Sequence, residues 1–352
     1  MVEGVISAVP AAEVREMKTA AVLSFLSLLI AQSAHAAPFA YITNEMDDTV
    51  SVIDTATNAV VATIKAGDEP RGVGVSSDGK FVYVTNFLAN SVSVINTSLN
   101  RVTATIPVGE QPQCIAVSPD GKRAYVTNFK SGTVSVIDTG ENRVSATVPV
   151  GSKPDGVAVA PDGRHVYTAN FNGDSVSVID SSDNSVKATI PSGHRPSGIV
   201  VSPDGNFVYV TNIASGDVTV IKTADNTVIQ TVKAGMLPSG VVVSSDGRIV
   251  YTANSGSSDV SVIDTSEYEV TATIPAGPLA SGADLTPDGK YLYVANSGDD
   301  TVTVIDTEKN KVAATVKVGE SPLAFGKFIT EGSLPPPPTP GPVTPTPAPS
   351  PE

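Results

Sequence analysis

The sequence predicts an all-β fold, a seven-bladed propeller of four-stranded antiparallel blades, on three observations. An asparagine column recurs at Asn44, Asn86, Asn128, Asn170, Asn212, Asn254 and Asn296, each step being 42 residues without insertion or deletion. Within each unit four short β-branched runs are separated by turn residues, which is the period of a propeller blade and not of a helical solenoid. Residues 37–330 number 294, which is seven times 42.

The second unit shows the elements in order. Residues 72–76 form the first, innermost run, and Ser77-Asp78-Gly79-Lys80 is an Asp-Gly hairpin signal. Residues 81–86 form the second run, closed by Asn86, and 87–90 a loop. The third run is 91–96, followed by a tight turn at 97–100 and a fourth run at 101–107. Gly109-Glu110-Gln111-Pro112 leads into the next unit. Alternation of β-branched residues with a period of two argues against helix throughout. Six Asp-Gly hairpins occur, at Asp78, Asp120, Asp162, Asp204, Asp246 and Asp288. The seventh is absent because the chain opens on a second-type strand (39–44) and ends on a first-type strand (324–329). Those two complete one blade, with the C-terminal strand innermost and three N-terminal strands outside it, so the ring closes without a half blade.

Both ends read as lying outside the fold. Met17-Lys18, an apolar run at 20–30 and Ala34-His35-Ala36 form a secretory signal peptide cut after Ala36. Glu3, Glu13 and Glu16 are unusual ahead of such a segment, which points to Met17 rather than Met1 as the start. Residues 333–352 hold ten prolines and read as an extended, polyproline spacer. The expected organisation is an N-terminal extension and signal peptide (1–36), the propeller (37–330) and a proline-rich tail (331–352). The chain is expected to be exported, to a periplasmic, extracellular or cell-surface location, with no transmembrane segment once mature.

Composition narrows the function classes. A net charge of −14 argues against nucleic acid, whose phosphates call for clustered Lys and Arg. The single cysteine, Cys114, rules out an intrachain disulfide and covalent haem attachment through paired cysteines. It replaces the glycine of five other units (Gly72, Gly156, Gly198, Gly240, Gly282), as a small residue at a tight spot.

The Tyr83-Val84-Thr85-Asn86 strand, the Ser51-Val52-Ile53-Asp54 strand, the Pro-Asp-Gly turn and the Gly-x-x-Pro connection recur in fixed order. In these columns the chain resembles the YVTN family of β-propeller repeats, found in bacterial and archaeal surface and periplasmic proteins. The resemblance covers all seven units. It implies the fold, and it implies function only weakly, since propellers host binding, catalysis and scaffolding alike.

Chemistry is sparse. No zinc-protease, nucleophile-elbow or phosphate-loop pattern is present. A histidine metal site would need His165 and His194 together, and they fall in different parts of the unit. Asp47-Asp48 and Gly298-Asp299-Asp300 lack the ligand spacing of a calcium loop. The reading is therefore of no metal and no cofactor. Two loop types share one face, the connections between blades and the loops after the Asn column. The first contribute Arg71, Gln113, Asp155, His194, Arg195, Leu237, Leu279 and Leu323, and the second Phe87, Phe129, Phe171 and Ile213. As a binding face this mixes aromatics with a few charges; alternatively the phenylalanines pack locally under their loops. His194 with Arg195, and Asp155 one blade away, is the sharpest catalytic candidate, able to polarise an ester or lactone. Asp284 and Lys327 interrupt apolar columns in adjacent blades, on opposite faces of their strands. They either face each other across the closing seam or both face away.

Three function classes follow. The favoured one is a non-catalytic module, monomeric, that binds a protein or glycan of the cell envelope. The second is a channel-mouth lactonase or lyase. The third is an accessory subunit of a periplasmic redox system.

Overall fold

A computed structural model describes residues 38–330. The segments read from sequence as signal peptide and proline-rich tail lie outside the described residues. Among the described residues every regular element is a strand, 27 in all, arranged as six four-stranded sheets and one three-stranded sheet. The three-stranded sheet is β1 (Phe39–Asn44), β2 (Thr49–Asp54) and β3 (Ala59–Lys65). The next blade is β4 (Pro70–Val75), β5 (Phe81–Asn86), β6 (Ser91–Asn96) and β7 (Arg101–Pro107), all antiparallel in chain order. Five further blades repeat it.

Each strand's burial follows its place in the blade. Second and third strands, such as β5 and β6, are buried almost throughout because neighbouring blades cover both of their faces. Outermost strands are exposed or half-buried along their length except for one residue, such as Ile106 in Arg101–Pro107, that enters the core. The hydrophobic clusters each span adjacent blades, as with Tyr83 and Val94 against Val126 and Ile137.

Why the Tyr-Val-Thr-Asn strand has its sequence is visible in its hydrogen bonds. All seven column asparagines are fully buried. Each Asn Nδ2 donates to the side-chain oxygens five and seven residues on, at 2.7–3.1 Å. Asn86 Oδ1 also accepts from Gly67 N in the preceding connection, 3.0 Å. A glycine is required there: a β-carbon on Gly67 would come within 2.6 Å of the Asn86 amide. Threonine solves a different problem. The innermost strand is bulged between Pro70 and Val73, which takes the Gly72 N–H off the ladder. Thr85 Oγ1 accepts that N–H at 2.8 Å and donates to the Gln113 carbonyl of the next blade at 3.0 Å. The same link to the next blade runs from Thr43 to Arg71 O, Thr127 to Asp155 O and Thr211 to Ser239 O.

The ring closes as the two incomplete ends of the repeat require. The C-terminal segment lies inside β1, with Tyr41 N donating to Phe328 O (2.9 Å), Leu323 N to Thr43 O (3.1 Å) and Thr330 N to Phe39 O (3.0 Å). On its other side Val73 N donates to Phe325 O at 2.7 Å. One difference from expectation is that this segment is not a continuous strand but a set of isolated bridges. Ala324 and Gly326 have left-handed backbones (φ 52° and 102°), which interrupt the ladder. Chain-end contacts otherwise copy the repeat: Gly319 N donates to Asn44 Oδ1 at 3.2 Å, as Gly67 does to Asn86. Tyr293 of the last blade donates to Asn58 Oδ1 of the first at 2.5 Å.

Asn86→Ala removes three buried hydrogen bonds and opens a polar void, so it is expected to cost about 2–4 kcal/mol of stability. Urea unfolding measures this; a loss below about 0.5 kcal/mol would remove the asparagine column from the account of the fold.

Candidate binding face and axial cavity

The register places the first-strand prolines, the column asparagines and the starts of the third strands at one end of every blade, as in the pairs Pro70–Asn86 and Asn86–Ser91. Connections between blades and loops after the Asn column therefore share that end. The connections carry two separate columns. The residue after the proline position (Arg71, Gln113, Asp155, Ser197, Ser239, Ser281, Leu323) lies on the innermost strand, or for Leu323 on the closing segment that takes its place, and rings the axis. The residue before it (Glu69, Gln111, Lys153, Arg195, Leu237, Leu279, Ser321) has a left-handed backbone in every blade, φ 50–54°.

This division separates the sequence-predicted catalytic set. Asp155 is on the inner ring and is buried, hydrogen-bonded to the side chains of Ser197 and Gln113. His194 is on the outer rim, its side chain 78% exposed, with Nδ1 at 2.9 Å from Asp174 Oδ2. Asp174 Oδ1 accepts from Arg195 N at 2.9 Å. The structure thus brings His194 and Arg195 to Asp174, and Asp155 to a different group. Asp174 has structural counterparts: Asp48, Asn90 and Asp300 accept from Glu69 N, Gln111 N and Ser321 N in the same way. These bonds, first that from Arg195 N, hold the Asp174 carboxyl below its ordinary value. His165 lies on the second strand at the opposite end of its blade from the connections, so the two described histidines are not neighbours.

The inner ring forms a hydrogen-bonded relay. Arg71 Nη1 donates to Gln113 Oε1 at 3.0 Å, and Gln113 bonds Asp155 in turn. Arg71 Nη2 also meets Glu45 Oε1 at 2.7 Å and Glu69 Oε2 at 3.1 Å. Its guanidinium stacks on Phe87, 3.4 Å from the ring centre. Phe129 and Phe171 sit 5.9 Å apart, flanked by Lys153 on one side and Arg195 on the other. All three phenylalanines are half-buried, so they pack locally against cations and still present an edge to solvent. Around the other half of the ring the rim is apolar, with Met236 (65% exposed), Leu237 and Leu279 at the surface.

Below the ring is an axial cavity of about 40 Å³, lined by Cys114, Asp155, Ser197, Phe325 and the glycines of the inner strands. Glycine is needed where blades meet at the axis: a β-carbon on Gly198 would lie 2.1 Å from Ser239 O. Cys114 is buried at the matching position, and burial pushes its thiol up to about 12, leaving it neutral.

At the closing seam Asp284 is buried and its Oδ2 accepts from Phe328 N (2.9 Å) and Ile329 N (2.8 Å). Lys327 is exposed, and its charge favours the ionised form of Asp284. The carboxylate thus holds the closing segment through backbone N–H groups, a role the sequence alone did not show. Burial nevertheless dominates and pushes Asp284 up to about 6, and Asp155 likewise.

Comparisons with known proteins agree on the architecture. A YNCE-like beta-propeller family model matches residues 71–161, a seven-bladed beta-propeller lactonase model residues 184–271, and a cytochrome D1 heme-domain model residues 15–114. None reaches half of the chain. The chain is a β-propeller protein. A chain of Kuenenia stuttgartiensis hydrazine synthase is similar at 25% identity and TM-score 0.69, over 78% of this chain and 97% of that one. A functionally unknown Desulfotomaculum acetoxidans protein (21%, TM-score 0.72, 82% and 99% covered) shares the fold. So does a candidate 6-phosphogluconolactonase of Bacteroides uniformis (19%, TM-score 0.71, 82% and 98%). No curated protein matches. Among the described residues no helix is long and apolar enough to cross a membrane.

The two buried carboxyls set a pH dependence. Their folded-state values lie above the ordinary 3.8, so the folded protein binds these protons more tightly than the unfolded chain. Their contribution to stability is present at acid pH and is lost as pH rises from about 4 through about 6. The turn aspartates, such as Asp120 and Asp204, are shifted down and act oppositely, below about pH 4. Stability should therefore fall between about pH 4 and 7, by on the order of 1–3 kcal/mol per carboxyl. Asp155→Asn and Asp284→Asn should each flatten part of that slope in thermal melts; an unchanged slope in both would remove these groups as its source.

Proposed function

We propose that this protein is a non-catalytic interaction scaffold, built on YVTN-type repeats, whose loop face holds a protein or glycan of the cell envelope. Export through the N-terminal signal peptide and presentation on a proline-rich spacer belong to the same reading. The observation that carries it is the rim itself. Leu237 and Leu279 are about half exposed and have left-handed backbones, where a leucine is disfavoured by about 1 kcal/mol relative to glycine. Opposite them stand three phenylalanines, each beside a cation. Apolar and aromatic anchors gathered on one face, with charged residues between them, suit a partner surface. The axial cavity, at about 40 Å³, is far below the roughly 300 Å³ that a small-molecule site needs.

A second reading, lactone or ester hydrolysis, is favoured by the lactonase model's match over 184–271, which contains His194 and Arg195. Asp174, at 2.9 Å from Nδ1, would orient the imidazole as a general base. The redox-accessory reading has the cytochrome D1 heme-domain match behind it, and no arrangement in the ring adds to it.

Affinity capture from the native envelope separates the first reading from the second. A partner retained by the mature propeller should be lost by about tenfold or more in a Phe129→Ser/Phe171→Ser/Leu237→Ser variant with unchanged melting; equal retention refutes the rim as the binding face. For hydrolysis, turnover of lactones and aryl esters should fall by about 100-fold in His194→Ala if that reading holds. Background rates in both proteins would end it.

A further inference from the structure

The axial cavity combines empty space with a buried carboxyl whose nearest cation is shared with two other carboxylates. Asp155 is 8% exposed and lines the cavity with Ser197 and Cys114. Its carboxylate is bonded by neutral groups, the Ser197 hydroxyl and the Gln113 amide. Arg71 is the cation in the relay and its charge favours the ionised form of Asp155, but its guanidinium is paired directly with Glu45 and Glu69. Counting one arginine against two glutamates and one aspartate leaves this cluster at −2 when all are ionised. Cys114 stays a neutral thiol and contributes no charge. A buried carboxylate that shares its only nearby counter-charge with two glutamates is costly to ionise, and a mobile cation is the simplest remedy.

Size and donor type narrow the ion. A cavity of about 40 Å³ has room for a small ion with one or two waters, since one water occupies roughly 10–15 Å³ on the same measure. It excludes sugars and nucleotides. A calcium site takes about six to eight oxygens, commonly with several carboxylates. Here a single carboxylate and a hydroxyl face the cavity, with water to complete the shell. We propose that the axial mouth binds a small monovalent cation (Na⁺, K⁺ or NH₄⁺), with the Asp155 carboxylate as its charged ligand and the Ser197 hydroxyl beside it. This site stands apart from the rim: a cation there would brace the innermost strands of adjacent blades whether or not a partner is bound.

The test compares melting of the mature protein at pH 7.5 and fixed ionic strength in sodium, potassium, ammonium and choline chlorides. At least one small cation should raise the melting temperature by about 2–4 °C over choline, which is too large to enter. Asp155→Asn keeps hydrogen-bonding capacity toward Ser197 and Gln113, and should respond equally to all four salts. Glu110→Gln, on an exposed loop, should keep the wild-type response. Sodium-23 NMR on wild-type protein gives a readout that needs no variant: binding broadens the line, and competition by potassium or ammonium sharpens it. Equal melting in all four salts together with an unbroadened sodium line overturns the proposal, as does a cation response that survives in Asp155→Asn.

Discussion

The structure depends on a primary amide that never reaches solvent. Each column asparagine ties the end of the second strand to the third through two donated bonds, and Asn86, Asn296 and Asn44 also take an N–H from the connection entering the blade. Burying an amide is costly to the extent that its hydrogen bonds are not remade inside the protein. Satisfying them fixes the loop length, the hydroxyl or carboxyl residues five and seven positions on, and a glycine flat against the amide. That chain of requirements explains a period of 42 residues held without insertion. An insertion between the asparagine and its partners would strand a buried polar group. In Asn128 and Asn170 the Oδ1 has no protein partner, so the donated bonds are the invariant part of the motif and the accepted one is optional.

Threonine and glycine carry the ring from blade to blade. A bulge frees one N–H on the innermost strand, the threonine hydroxyl takes it, and the hydroxyl proton passes to the next blade's ring carbonyl. Where Ala295 replaces threonine, Ser281 Oγ donates instead, to Ala295 O and Leu323 O. The bond is thus replaced from the other strand. The axis is tight because those carbonyls approach the glycine column within van der Waals contact. Small residues at the axis and a water-sized cavity are two consequences of one packing constraint.

The fold was legible because a fixed period is a stronger signal than any local propensity. Seven blades, their strand order and closure by the two chain ends all followed from counting columns. What counting could not show was the path of the closing segment, where the left-handed Ala324 and Gly326 break the strand into bridges. The candidate site was legible only as a face. Sequence spacing placed Asp155 and Arg195 in the same connection type, but they flank the proline position on opposite sides, and the chain turns there. One therefore points to the axis and the other to the rim. Asp174 escaped notice although its signal was present: it shares a column with Asp48, Asn90 and Asp300, all able to cap a backbone N–H. Serine at 197, 239 and 281 was a second unread column, set against the charged or longer residues at 71, 113 and 155.

Those two columns locate where this propeller can differ from its own repeat. A blade is complete once its asparagine, inter-blade hydroxyl, glycine and turn aspartate are satisfied, and of the side chains beside the proline position only Ser281 is drawn into that set, in the blade where Ala295 stands for threonine. The other inner-ring positions and the rim positions are consequently free to vary, one facing the axis and the other facing solvent. Variation has gone in opposite directions around the circle. Blades carrying Arg71, Gln113 and Asp155 build a buried polar relay beside aromatic–cation pairs, whereas those carrying Leu237 and Leu279 leave apolar side chains exposed above small serines. A scaffold of near-identical units thereby acquires an oriented face. Orientation of that kind is what a specific partner needs, since a seven-fold symmetric rim would bind in seven equivalent registers and distinguish none of them.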